Sequence, residues 1–125
     1  MLCASSELAE RGRAKLFDVL QHGRALRAFA LRFDGRVVAY LNRCTHVPTE
    51  MDWQPGEFLD ADKCVILCAL HGASYAPADG RCVGGPGRGA LAAIRVEEED
   101  GQVYWYPSRE VRPVLPAPPA PGSAP

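Results

Sequence analysis

No part of the sequence approaches the roughly 18 consecutive apolar residues of a membrane-spanning helix. Its first twenty residues, MLCASSELAERGRAKLFDVL, also hold no apolar stretch suited to a secretion signal, because Glu7, Glu10, Arg11, Arg13 and Lys15 interrupt it. The expected location is therefore cytoplasmic, with no membrane partner. An excess of charge is missing too: 14 Lys and Arg face 15 Asp and Glu, a net charge of −1. Nucleic acid usually demands a basic face, so none is expected as a partner. Helical signal is scarce. SELAERGRAK could form a turn or two, but Gly12 interrupts it and its apolar stripe is poor. Histidine is scarcest in a way that matters, with only His22, His46 and His71 in the chain.

What is present points to one domain. The chain has 125 residues, 47% hydrophobic and 23% charged, enough to bury a core without disulfides. Three Asp-Gly pairs, at 34–35, 79–80 and 100–101, separate segments rich in β-branched and aromatic residues and read as hairpin turns. Along RAFALRF, Phe29, Leu31 and Phe33 alternate with Ala28, Ala30 and Arg32, a period of two with one apolar face. Adding KLFDVL (15–20) and KCVILC (63–68) gives about eight short strands, the pattern of an all-β sandwich or barrel. Seven of the eleven prolines fall from Pro107 onward. Residues 1–112 are therefore expected to fold and 113–125 to form a polyproline-like or unfolded tail.

The periodicity vanishes between Asn42 and Lys63, and a loop of that length is unusual unless it serves a function. It opens on Cys44-Thr45-His46, and the strand after it ends in Cys68-Ala69-Leu70-His71. Two thiolates and two imidazoles favour an iron–sulfur group or zinc over hard cations. Zinc fingers prefer two Cys together and two His together, whereas here each pair mixes the two types. Gly72 follows His71 and lets the chain turn tightly beside that donor. Of the other cysteines, Cys64 and Cys82 read as small core residues and Cys3 as an exposed terminal thiol. His22 reads as a surface turn residue beside Gly23.

With its two motifs CTH and CALHGASY, the chain resembles the Rieske iron–sulfur domain family, whose cluster loops read C-x-H and C-x-x-H-G. Gly84-Gly85-Pro86 is similar to that family's third, proline-bearing loop. The resemblance implies an antiparallel β-sandwich with a small cluster-binding subdomain. It also implies one [2Fe–2S] cluster per chain, with Cys44 and Cys68 on an inner iron and His46 and His71 on an outer one. The respiratory branch joins its loops by a disulfide, but Thr49 and Leu70 stand at those positions here. Its serine after the second histidine is replaced by Ala73, which implies a potential in the lower part of the Rieske range of roughly −150 to +300 mV. Tyr75, four residues after His71, is kept, and the resemblance implies a donor to a cysteine sulfur there. The oxygenase branch usually has Trp where Ala73 stands, so the chain looks most like the soluble ferredoxins.

The function this implies is single-electron transfer, without catalysis, between a flavin reductase and a terminal oxygenase or another redox enzyme. A nitrite-reductase-like small subunit and a cluster-based redox sensor are the alternatives. Oxygenase chemistry needs a further iron held by two His and a carboxylate. Once His46 and His71 are committed, only His22 remains to supply it. The long loop carries Glu50, Asp52, Glu57, Asp60 and Asp62. They read as a solvated face, or, if they border the electron exit, as a group that steers a basic partner. Trp53 and Phe58 are expected to pack beneath that loop.

Overall fold

A computed structural model describes residues 2–45 and 49–114. Ten strands follow in order: β1 (Cys3–Ala4), β2 (Lys15–Gln21), β3 (Arg24–Phe33), β4 (Arg36–Leu41), β5 (Ile66–Leu67), β6 (Ser74–Tyr75), β7 (Cys82–Gly84), β8 (Ala93–Glu99), β9 (Gln102–Tyr106) and β10 (Val111–Pro113). The sole helical element among the described residues is one 3₁₀ turn at Ser5–Glu7, as the weak stripe and Gly12 foretold. None of their helices is long and apolar enough to cross a membrane.

Three hairpins turn on residue pairs with positive φ at both positions: His22-Gly23 (51° and 79°), Asp34-Gly35 (53° and 77°) and Asp100-Gly101 (51° and 76°). This mirror-image turn matches the right-handed twist of the flanking strands, and so sets their register. Asp79-Gly80 works differently. Residues 76–81 separate β6 from β7, and of that pair Gly80 alone has positive φ.

Seven strands form one antiparallel sheet in the order β1-β9-β8-β4-β3-β2-β10, and β5-β6-β7 form a second, smaller one. The large sheet curls on itself. Phe17 of β2 meets Trp105 of β9 at 5.3 Å between ring centroids, although three strands lie between them in the sheet. Val19, Ala28, Ala30, Leu41, Ile94, Val103 and Val111 fill the inside of that curl. The other side buries Phe29, Leu31 and Tyr40 against Met51, Phe58, Ile66 and Tyr75 from the long loop and the small sheet. β3 is thus buried on both faces along Ala28–Leu31. The expectation of one apolar face is corrected: alanines suit the tight inner side and large residues the outer one.

Several further expectations change. Cys3 is buried, because β1 pairs with β9 and turns its thiol into the inner core. Cys64 is exposed rather than core. The Asp60 carboxylate accepts the N–H groups of Cys64 (2.8 Å) and Val65 (3.2 Å), holding a turn there, so β5 begins only at Ile66. Cys82 is half-buried and packs on the outer core. Phe58 does pack beneath the loop, stacked on Phe29 at 3.8 Å, but Trp53 is 54% exposed. Pro113, placed with the tail from sequence, is a strand residue opposite Val19. The rest of that tail, from 115 on, lies outside the described residues.

Candidate metal centre

The first donor loop leaves the end of β4. Asn42 is buried and polar, and each end of its amide is used: Oδ1 accepts the Met51 N–H (2.8 Å) and Nδ2 donates to Asp52 (2.9 Å). It ties the outgoing chain to the returning one, and the Cys44 N–H to Thr49 carbonyl bond (3.0 Å) closes the loop between them. Sequence reading did not select Asn42. Its signal was a polar residue ending the apolar run RVVAYL, directly before the first donor motif.

The second donor loop is a tight turn between β5 and β6. Cys68 N–H donates to Ala73 O (2.8 Å) and Gly72 N–H to Cys68 O (3.0 Å), with Gly72 at φ +79°. Ala69 N–H donates to Met51 O (2.9 Å), which binds this turn to the first loop. Cys44 and Cys68 are both buried in the outer core. Burial pushes the Cys68 thiol up, the Cys44 thiol adds to the rise, and the backbone N–H groups of Leu70 and His71 oppose it. Buried thiols of raised pKa are poor nucleophiles, and a bound metal is what would deprotonate them. His71 sits at the exposed top of the turn beside Leu70, which is 58% exposed. His46 lies outside the described residues, so its place in the set is not given by these contacts. Among the described residues no three His, Cys, Asp or Glu side chains converge as they would on a single metal ion.

A third loop seats over these two. Gly85 has φ +72°, and a Cβ there would overlap the Gly72 carbonyl oxygen and lie 2.8 Å from Ala73 Cα. At Gly87 a Cβ would meet Tyr75 Oη at 2.8 Å and Thr45 Oγ1 at 2.9 Å. Tyr75 connects all three loops. Its Oη lies 3.5 Å from Cys44 Sγ and 2.7 Å from Thr45 Oγ1, and accepts the Thr45 N–H at 3.1 Å. Thr45 Oγ1 in turn accepts the Arg88 N–H from the third loop at 3.0 Å. Ala73 is fully buried, and the neighbouring Ser74 hydroxyl donates to the Gly72 carbonyl (3.2 Å). Two buried thiols and an exposed histidine turn, under a third loop that packs on both through its glycines, suit a group with a sulfur-ligated inner end and a nitrogen-ligated outer end.

The family model of the Rieske [2Fe–2S] domain matches residues 1–108. Among solved structures, the ferredoxin of carbazole 1,9a-dioxygenase from Nocardioides aromaticivorans IC177 aligns at a TM-score of 0.64 and 21% identity, over 90% of this chain and 95% of that one. At that identity the likeness is one of fold. The terminal oxygenase of carbazole 1,9a-dioxygenase from Novosphingobium sp. KA1 aligns at 0.64 and 29% identity, over 82% of this chain and 28% of that one. A chain of the reduced complex between oxygenase and ferredoxin in carbazole 1,9a-dioxygenase aligns at 0.67 and 25%, over 83% and 27%. The present chain thus spans little more than a quarter of those longer relatives. No curated protein matches the sequence.

Proposed function

The chain belongs to the Rieske [2Fe–2S] domain family, whose resident cofactor is a [2Fe–2S] cluster, and from that membership we propose a single-electron carrier between a reductase and a terminal oxygenase. Cys44 and Cys68 would hold the inner iron, and His46 and His71 the outer one. When bound, the cluster supplies one reversible electron, and its two neutral imidazole ligands make reduction easier than in an all-thiolate centre. The observation that carries the reading is the polarity of the site, with both thiols buried and the His71 turn exposed. Buried thiolates keep the inner end dry, and the exposed imidazole offers the short path to a partner. The carbazole systems, in which such a ferredoxin meets an oxygenase, suggest the class of acceptor. With His46 and His71 assigned to the cluster, His22 in the exposed β2–β3 turn is the one histidine of this sequence left over.

Anaerobically purified protein is expected to be red-brown and to give the rhombic EPR signal of a reduced Rieske centre with dithionite. Iron and acid-labile sulfide should each come to about two per chain. A colourless protein holding one zinc would exclude the reading.

A further inference from the structure

The five carboxylates of the long loop would steer a basic partner if they faced the electron exit. Most are instead occupied in holding the loop. Asp52 accepts from Asn42 Nδ2 (2.9 Å) and Gly56 N–H (3.1 Å), and Asp60 accepts the Cys64 and Val65 N–H groups. Glu57 pairs with Arg13 at 3.3 Å, and Glu50 lies 3.9 Å from Arg27.

Around Cys44 the uncompensated charge has the opposite sign. Two clefts flank the first donor loop and share Arg43. One, of about 260 Å³, is lined by Cys44, Thr45, Gln21 and Arg43. The other, of about 210 Å³, is lined by Arg24, Arg43, Thr49 and Glu50. Arg88 is tied beside them through its N–H to Thr45 Oγ1. Arg24 and Arg88 are exposed and Arg43 is half-buried. None of the three forms an ion pair among the described residues. Residues 64–78, which contain the second donor loop, carry no Asp, Glu, Lys or Arg, and residues 80–96 carry arginines but no acid. The acids Glu97, Glu98, Glu99 and Asp100 lie toward the far end of β8, away from Ala92, whose carbonyl accepts the Leu41 N–H near the donor loop. A net charge of −1 therefore conceals unpaired arginines beside the first donor loop, whereas Glu97 and Glu98 at the far end are paired with Arg95 and Arg32.

We propose that the face formed by Arg24, Arg43 and Arg88 beside Cys44 docks a carboxylate-rich surface of the redox partner. This rests on the electron-carrier reading above. Guanidinium groups at the rim of clefts suit carboxylates, which they bind in a forked, two-bond geometry. Recognition of an anionic membrane is disfavoured by number: polybasic lipid sites gather roughly four to eight adjacent basic residues, and this face has fewer.

The test uses dithionite-reduced holoprotein, oxidised in a stopped-flow instrument by ferricyanide or by tris(phenanthroline)cobalt(III). Each oxidant takes one electron from the cluster, becoming ferrocyanide or the cobalt(II) complex, and the two differ in the sign of their charge. Raising salt from about 10 to about 150 mM shortens the screening length from about 30 to about 8 Å, and the ferricyanide rate is expected to fall about twofold or more while the cobalt rate rises. Arg24→Glu and Arg88→Glu should each flatten or invert both trends. Arg36→Glu, an equal charge change at the far end of β4, should leave them in place. Trends that follow the net negative charge instead, or equal effects of all three variants, overturn the proposal. Co-sedimentation with phosphatidylserine vesicles would overturn it in favour of a lipid surface. Loss of the reduced EPR signal in the parent protein would mark failure of the carrier reading, whereas an intact signal with the wrong salt dependence marks failure of this proposal alone.

Discussion

Tyr75 has one proton to give and three polar neighbours, and the state of Cys44 decides where it goes. Its oxygen accepts the Thr45 N–H, and Thr45 Oγ1 already accepts the Arg88 N–H. As a ligand Cys44 would be a thiolate and could only accept, so the bond at 3.5 Å takes the phenol proton and the Thr45 hydroxyl donates to Tyr75 Oη. A hydrogen bond to a ligand sulfur stabilises the reduced, more negative centre. Tyr75→Phe should therefore lower the midpoint potential by roughly 40 mV, the one-electron equivalent of about 1 kcal/mol, in a mediated redox titration. Tyr40 tests a different effect. Its hydroxyl donates to Pro77 O at 2.6 Å, and burial, with Asp79 adding to it, pushes its pKa up to about 12. A raised phenol pKa means that the fold favours the neutral form. That stability is fully present below the unfolded value near 10 and is lost as pH rises through about 12. Tyr40→Phe should cost about 1 kcal/mol at neutral pH and should flatten the alkaline loss between those values, as read by urea titrations across pH.

Scale up to the elements, and the loops depend on one another more than on their own strands. β5, β6 and β7 are two or three residues each, too short to hold a metal site by sheet pairing alone. What binds them is close backbone contact. At Gly85 a Cβ would strike the backbone of Gly72 and Ala73, which cannot swing aside as a side chain can. Gly35 also has positive φ but opens to empty space. Gly85→Ala should therefore lift the third loop from the second and speed cluster loss several-fold or more, followed by bleaching of the visible absorbance. Gly35→Ala should bear only the left-handed backbone strain, about 1 kcal/mol, with cluster retention unchanged.

For the molecule as a whole, the outer core joins the sheet to the site. Phe29 of β3 stacks on Phe58 of the long loop, in the same cluster that contains Cys44, Cys68 and Tyr75. Stability of the sheet and retention of the cofactor are thereby linked. Phe58→Ala should cost about 3–5 kcal/mol and make thermal unfolding and loss of visible absorbance move down together. Two separate transitions would show that the donor loops open on their own. Charge is arranged on the same scale, with arginines around the donor loops and a carboxylate run at the opposite hairpin end, so the net value says little about the face a partner meets.

Local chemistry written in adjacent residues was legible from the sequence alone. Asp34-Gly35 and Asp100-Gly101 announced their hairpins because a two-residue turn with positive φ selects those residue types. The mixed Cys/His motifs pointed to the family that the chain belongs to, because ligand softness resides in the side chains themselves, and the strand pattern announced an all-β domain. Other features depended on which distant segments meet. Cys3 is buried because β1 finds β9, about a hundred positions along the chain, and Ala28 and Ala30 are interior because the sheet curls. Asn42 matters because the loop returns to it, and Trp53 is exposed where Phe58 is not because only Phe58 reaches Phe29. The loop carboxylates counted the same in composition whether they faced a partner or held the backbone. Tertiary structure decided between those roles, since a charge acts over a few ångströms and those ångströms are set by the fold.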